Sequence, residues 1–348
     1  MKKVSVAITA YNQANYIGQA VESILSQDYP NLEVVVSDNA STDDIGAAIE
    51  KFRSDSRFKY FRNEKNLGMI GNFHRALYDY STGDYALHLD GDDYLTDSHY
   101  ISDAMELIER EGLVMVFSRY RSLYETDQAF IEDKVNSDLP EIVDGNWLFL
   151  NYYKGYSLTT LTVLHDRRHA MDVGFFEKDI RSTDWEGLLK LIINRKVGFI
   201  NRFVGVWRRH GLNETMKQDL NRVLGNVEYI ESPYRFALGK QYFPEPVLDQ
   251  WRRRMLKRYF VQILVRALML GNREQERAIL DFLKTYDVDV YRSLQRDLRF
   301  HGLKLIMKNR MLVLLVFKYI LKQESFFRDF EYMRARGEKN TGNSAWKR

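Results

Sequence analysis

Tyr85-Ala86-Leu87-His88-Leu89-Asp90-Gly91-Asp92-Asp93 is the stretch on which the fold turns. Its first five residues are a short, mostly apolar run of the kind that forms a buried strand. Three carboxylates then follow within four positions. They repel one another, and keeping them charged without a partner is unfavourable. A divalent cation relieves that repulsion. Magnesium or manganese is usually held by one or two carboxylates, with substrate phosphates completing the shell. Taken alone, the tetrapeptide reads equally well as a solvated Asp-Gly turn, so its neighbours must decide.

Working outward, strand and helix signals alternate. Val4–Ile8 reads as a strand and Asn15–Gln27 as a helix, with Ile17, Ala20, Val21, Ile24 and Leu25 on one face. Leu32–Val36 is a second strand, and Ser41-Thr42-Asp43-Asp44 supplies capping residues for a helix near Ile45–Phe52. Phe58–Phe61 is a third strand, Ile70–Tyr80 a helix and Tyr85–Leu89 a fourth strand. Such alternation implies βαβ units and a mainly parallel sheet, a Rossmann-like α/β class. Ligands in such sheets sit beyond the carboxyl ends of the strands, where Thr9, Asp38 and Asp90 fall. Farther on, a helix is expected at Ser98–Glu111, a strand at Leu113–Ser118, a helix at Asp184–Ile193 and a strand pair or edge at Val197–Trp207. Pro233, Pro244 and Pro246 cluster where the character changes, and helix signals rich in Arg and Lys follow. The expected domains are therefore 1–215, a linker at 216–245 and an all-helical extension over 246–348.

Composition narrows the classes. The chain has 348 residues, 45% of them hydrophobic, which supports a packed core. A net charge of +3 provides no field for nucleic acid. Without cysteines there are no disulfides, thiolate metal sites or cysteine nucleophiles, which fits a reducing compartment. Met1-Lys2-Lys3 leads straight into a strand, with no signal peptide expected. Asn39-Ala40-Ser41 and Asn213-Glu214-Thr215 match the glycosylation pattern, but the first falls in a segment expected to line a nucleotide pocket, which a glycan would block. A cytosolic face is the simpler expectation.

Three loop segments carry chemistry. In Thr9-Ala10-Tyr11-Asn12 the tyrosine can stack on a base, and Thr and Asn can bond its edge or a ribose; polar loops of this kind are also common structural features. In Asp38-Asn39-Ala40-Ser41-Thr42-Asp43 the first carboxylate can accept from a pyrimidine N–H or ribose hydroxyls, or it can form an Asx-turn or cap. In Asn63-Glu64-Lys65-Asn66-Leu67-Gly68, Asn66 and Gly68 suit a tight turn approaching a ligand, or an ordinary helix entry. No Gly-x-Gly-x-x-Gly follows strand one and no Walker loop exists, which disfavours dinucleotide dehydrogenases and P-loop NTPases.

Together Ser5–Asn12, Gln27–Pro30, Val34–Asp43, Asn66–Gly68 and Tyr85–Leu95 resemble the family 2 glycosyltransferases of the GT-A fold. The likeness is dense over the first hundred residues and sparse to about residue 215. It implies that Thr9–Asn12 (Thr9, Ala10, Tyr11, Asn12), Asp38, Asn66, Gly68, Asp90 and Gly91 bind the nucleotide donor, with Asp38 at the uracil. Asp90 and Asp92 form the Asp-x-Asp motif, with Asp92 the direct ligand of Mg2+ or Mn2+ and Asp90 at the ribose. Many members carry Ala-Arg-Asn in the next helix; here Asn72-Phe73-His74-Arg75 displaces the arginine. Many also carry an acidic pair whose Asp takes the acceptor proton. Asp184 in Ser182-Thr183-Asp184-Trp185-Glu186 aligns with it, with Glu186 as competitor and a helix N-cap as the plain alternative. Arg208-Arg209-His210-Gly211 resembles the Arg-x-His-Gly segment. There His210 can join the metal shell and Arg208 and Arg209 can neutralise phosphate.

The resemblance implies inverting, metal-dependent transfer from a UDP-sugar to a saccharide or lipid-linked saccharide, in lipopolysaccharide, capsule or other surface polysaccharide synthesis. A nucleotide-sugar binder with a partner-recruiting helical region is the rival, motivated by Thr183 in place of the first acid. A nucleotidyltransferase is a third reading, disfavoured because Thr9–Gly18 has no Arg or Lys. Arg252–Arg258 and Leu303–Leu321 combine basic and apolar residues. They can lie peripherally on the anionic inner face of the cell membrane, or pack as core helices with a solvated face.

Overall fold

The structure, a computed structural model, describes residues 1–132, 135–210, 213, 219–306 and 328. The chain divides into two units: residues 1–208 with 228–248, and residues 209–227 with 249 onward. In the first unit, β1 (Val4–Ala10), β2 (Leu32–Asp38), β3 (Phe58–Arg62) and β4 (Tyr85–Asp90) run parallel in the order β3-β2-β1-β4. Every residue of β1 and β2 is buried, as expected for strands covered on both faces. The sheet continues through β5 (Tyr94–Leu95), β6 (Met115–Tyr124), β7 (Ala129–Glu132), β8 (Ile142–Asp144), β9 (Leu164–Asp166) and β10 (Lys196–Arg209). Its order is β4-β9-β6-β10-β5, with β7 on β6 and β8 on β10. β9 pairs antiparallel with β4 and β6, and β10 antiparallel with β5 and β8. The mainly parallel expectation thus describes one half, and an antiparallel half extends it. The expected strand pair or edge at Val197–Trp207 is one long strand, β10.

Register aligns the strand ends that matter. Thr9 lies opposite Ser37 on one side and Asp90 on the other, and Ala10 lies opposite Asp38. Helix α1 (Ala14–Leu25) buries Ile17, Ala20, Val21 and Ile24, an i, i+3, i+4, i+7 stripe. Helix α2 (Ile45–Ala48) is capped by Asp44, whose side chain accepts from the Ala47 N–H. The expected helix at Ile70–Tyr80 begins earlier, as α3 (Gly68–Arg75), and widens into a π-turn over Ala76–Tyr80. Helix α4 (Tyr100–Glu111) stops at Gly112 in the left-handed region (φ 65). Next come α5 (Gly145–Asn151), α6 (Arg167–Asp172) and α7 (Thr183–Ile192). Asp144 and Asp166 cap α5 and α6.

Helices α8 (Leu220–Gly225) and α9 (Glu228–Gly239) occupy the segment expected to be a linker. α9 belongs to the first unit and carries Pro233 within it. Helix α10 (Glu245–Met269) has Pro246 in its first turn, where the missing N–H costs nothing. In the second unit α11 (Arg273–Tyr286), α12 (Val288–Gln295) and α13 (Leu298–Ile306) follow. Met255, Leu256, Phe260, Leu264, Ile279, Leu283 and Leu294 are buried there. Arg252 pairs with Asp287 at 2.8 Å and Lys257 with Asp297 at 2.8 Å. Those two cations face acids of their own unit, which weakens the expectation that Arg252–Arg258 meets an anionic membrane. Residues 307–321 of the Leu303–Leu321 stretch lie outside the described residues. Among the described residues no helix is long and apolar enough to cross a membrane.

Glu33 ties the amino-terminal edge of the sheet together. It is 2% exposed. It accepts from Lys3 Nζ at 2.6 Å, Lys59 Nζ at 2.8 Å, Ser5 Oγ at 2.5 Å and the Thr82 N–H at 2.7 Å. Burial alone would raise its pKa, but the two ammonium groups and the further donors outweigh it and hold the carboxyl at about 2. Its contribution is therefore complete above the ordinary value of 4.5 and is lost as pH falls toward 2. Glu33→Gln should destabilise the protein by about 1–3 kcal/mol at pH 7. In urea titrations the difference from wild type should shrink below pH 4.5. A difference independent of pH would count against this account.

Candidate active site

The loops after β1 and β2 are joined to each other. Asn12, in the left-handed region (φ 56), accepts from the Thr42 N–H at 2.8 Å, and its own N–H donates to Ser41 Oγ at 3.0 Å. The Asn39 N–H donates to the Ala10 carbonyl at 2.9 Å. Asp43 accepts from the Ala14 N–H at 2.7 Å and so starts α1. Tyr11 stands at the tip of this double loop, 46% exposed. That is the presentation needed for stacking on a base. Thr9 is buried behind it, 3.3 Å from His88 Nε2.

Asp38 stands at the end of β2, as expected. Its side chain is 0% exposed. It accepts from the Ser41 N–H at 2.8 Å, Tyr60 Oη at 2.7 Å and Arg62 Nη1 at 3.3 Å. The Asx-turn reading is the one seen, because β3 lies beside β2 and aims Tyr60 and Arg62 at the carboxylate. In this structure Asp38 shapes the Asn39–Thr42 turn and is covered by its neighbours, and the uracil contact stays an assignment from sequence.

Asn66 and Gly68 belong to an amide network. Asn66 Oδ1 accepts from Asn39 Nδ2 at 3.1 Å and from the Gly68 N–H at 2.8 Å. Asn39 Nδ2 also donates to the Gly68 carbonyl at 3.0 Å. Gly68 has φ 76, which a side chain would resist. Asn63 and Asn72 extend the network to Ser37. The displaced Arg75 pairs with Asp79 at 3.7 Å and lies over the Tyr80 ring.

At the end of β4, Asp90, Asp92 and Asp93 bring carboxylate oxygens within 4.8 Å of one another. The donors are all oxygen, the ligand set of a hard divalent cation. Asp90 is the open member, its side chain 47% exposed, while Asp92 and Asp93 are buried. Gly91 is required by close approach: a Cβ there would meet Gln13 Oε1 at 2.7 Å and Ala10 Cβ at 3.1 Å. Asp93, quoted in the motif but given no role, joins the cluster and accepts from the Arg208 N–H at 2.9 Å. Arg208 itself was expected at phosphate. Its guanidinium instead bonds the Asp92 carbonyl at 2.9 Å and Gln19 at 2.6 Å.

His88 was missed. It is buried, packs edge-on to Phe73 at 4.3 Å, and its Nε2 is 3.6 Å from Asp90 Oδ1. The signal was present, since residues two apart on a strand share a face.

Asp184 lies in the first turn of α7, partly exposed. Desolvation raises its carboxyl to about 7. The Trp185 N–H opposes this rise and the negative charge of Asp90 adds to it. Glu186, its competitor, is 0% exposed, pairs with Lys190 at 2.7 Å and accepts from Ser232 Oγ of α9. A carboxylate so enclosed cannot face an acceptor. His210 belongs to the second unit and is buried, and its N–H donates to Asn213 Oδ1 at 2.6 Å. Its place in a metal shell stays an assignment from sequence.

Comparison with known proteins agrees with this arrangement. The family model described as glycosyl transferase family 2 matches residues 5–180. WfaP of Escherichia coli, a UDP-Glc:alpha-D-GlcNAc-diphosphoundecaprenol beta-1,3-glucosyltransferase, is 35% identical over 175 residues, 50% of this chain and 65% of WfaP. Hyaluronan synthase of Pasteurella multocida is 32% identical over 223 residues, 62% of this chain and 21% of the synthase. The chain thus spans less than two thirds of the length of either curated relative. The crystal structure of S. aureus TarS in complex with UDP-GlcNAc superposes with a TM-score of 0.66 at 17% identity, over 97% of this chain and 92% of TarS. That likeness is one of fold, and the fold is the expected GT-A arrangement with a helical carboxyl-terminal region. With strand ends, acidic cluster and a family match over half its length in agreement, the chain belongs to glycosyltransferase family 2.

Proposed function

We propose that the protein transfers a sugar, with inversion, from a UDP-sugar to a hydroxyl of a saccharide or lipid-linked saccharide in bacterial surface polysaccharide synthesis. The observation that carries the reading is the cluster of Asp90, Asp92 and Asp93 at the end of β4, with carboxylate oxygens within 4.8 Å of one another. Asp184, whose carboxyl burial pushes up to about 7, feels the negative charge of Asp90 and is the acid of α7 suited to take a proton near neutral pH. The activity of WfaP, which joins glucose from UDP-Glc to an undecaprenol-linked sugar, supports the donor and acceptor classes. An acceptor on a lipid carrier would place the reaction at the inner face of the cell membrane.

In this mechanism Tyr11 stacks on the base, and the Asn12–Thr42 and Asn66–Gly68 loops hold the nucleoside. Asp38 acts through the turn it ties down. Asp92, with Asp90 and Asp93, would hold Mg2+ or Mn2+. A divalent cation there supplies electrostatic stabilisation to a diphosphate leaving group. Asp184 accepts the acceptor's proton as its oxygen attacks the anomeric carbon on the face opposite the breaking bond to UDP. Glu186 and Lys190, buried as a pair, fix α7 beneath it.

Both halves of this mechanism can be tested. Asp92→Asn removes the charge that offsets a cation while keeping size; UDP release from UDP-sugars should fall at least ~100-fold with the fold intact. Undiminished activity in EDTA would defeat the metal reading, and no UDP release with any UDP-sugar and acceptor would favour the non-catalytic binder. For Asp184, a base must be ionised, so kcat/KM for the acceptor should rise with pH along a limb whose midpoint is no higher than about 7. A cation beside Asp90 offsets one of the charges that raise it, and so moves the limb down. Asp184→Asn should lose about 10²–10⁴-fold in rate and lack the limb, yet bind UDP-sugar normally by calorimetry. An active Asp184→Asn would remove it from the mechanism.

A further inference from the structure

Arg208 is held on every side within the first unit. Its side chain is 12% exposed. The β5–β10 pairing sets Val206 opposite Tyr94 and Gly205 opposite Leu95, and so carries Arg208 to the acidic loop. There its N–H donates to Asp93 Oδ1 at 2.9 Å and its Nε to the Asp92 carbonyl at 2.9 Å. Nη2 donates to Gln19 Oε1 of α1 at 2.6 Å, and Nη1 lies 3.6 Å from Glu125. The guanidinium carbon is 5.0 Å from the Tyr16 ring and 5.4 Å from the Tyr94 ring. Tyr16 Oη in turn donates to Glu125 at 3.1 Å.

We propose that Arg208 is a positioning residue for the metal loop and not a ligand of donor phosphate. One guanidinium fork binds α1, the loop carbonyl at Asp92 and the acid beyond β6, while its backbone orients Asp93. A rigid fork with fixed donor directions suits that task, and an ammonium of the same charge does not. The inference rests on the metal-dependent reading proposed for the site. It predicts that the shape of the loop, more than its charge, sets cation affinity.

Arg208→Lys separates the two, because it keeps the positive charge and loses the fork. With the full chain, Mn2+ affinity is read by electron paramagnetic resonance without nucleotide, and UDP affinity by calorimetry in EDTA. Arg208→Lys should weaken Mn2+ binding about 10–100-fold, the scale seen when groups supporting metal ligands are removed, and leave metal-free UDP binding unchanged. Gln19→Ala, at an exposed residue whose loss the fold should tolerate, should weaken Mn2+ binding in the same direction by less. Unchanged Mn2+ affinity in a folded Arg208→Lys, or in Gln19→Ala should Arg208→Lys not fold, overturns the positioning role. A fall in metal-free UDP affinity with Mn2+ binding intact makes Arg208 a phosphate ligand and overturns it as well. Absence of Mn2+ binding by the wild-type protein, both without nucleotide and with UDP, overturns the metal reading first and this inference with it.

Discussion

Three carboxylates confined within 4.8 Å at the end of one strand are the constraint on which this structure depends. At such separations each like-charged pair repels by roughly 4 kcal/mol in a surface-like dielectric, so the loop cannot keep its shape by itself. The surrounding structure restrains it from several directions. The Gly91 N–H is fixed to the Thr9 carbonyl at 2.9 Å, and glycine allows α1 to press against the loop. From the opposite side β10 delivers an N–H to Asp93 and a guanidinium to the Asp92 carbonyl. The parallel half of the sheet supplies the strand end, and the antiparallel half supplies the cation that steadies it. A purely parallel sheet would leave the loop without β10.

The same division accounts for what was legible in the sequence. β1 and β2 read correctly because both faces are buried and the strands are mostly apolar. Asp90 and Asp92 were legible because acids gathered directly after a buried strand repel one another unless a cation joins them. β5, β8 and β9 are two or three residues long, too short for periodicity to register. α9 was hidden by Pro233, which reads as a breaker yet lies within the helix. Asp38 illustrates a different limit. Its place at a strand end was foreseeable, but Tyr60 and Arg62 reach it from the neighbouring strand β3, and no local pattern reports a cross-strand hydrogen bond. His88 was overlooked for the converse reason. It sits in an apolar run and reads as core, which it also is.

The amide network places the nucleotide loops under a similar rule. Asn39, Asn63, Asn66 and Asn72 bond to one another and to Ser37, joining the ends of β2 and β3 to the entry of α3. Neutral amides can be buried in this way because each donor finds an acceptor. Carboxylates in their place would repel like those after β4. The chain thus separates its polar groups by charge: amides brace the loops after β2 and β3, and acids gather after β4.

That separation bears on which acid of α7 does chemistry. Glu186 and Asp184 are two residues apart on one helix, so their side chains leave it in different directions. Glu186 points inward, where Lys190 and Ser232 both bond its Oε1; a buried ion pair of this kind is expensive to break from one side, because the surviving charge has no partner. For Asp184, burial and then the charge of Asp90 raise its proton affinity, and the Trp185 N–H opposes the rise. A group that must bind and release a proton needs an environment that stabilises neither state strongly. Asp184 has that environment and Glu186 does not, and the difference arises from which face of α7 is packed against α9.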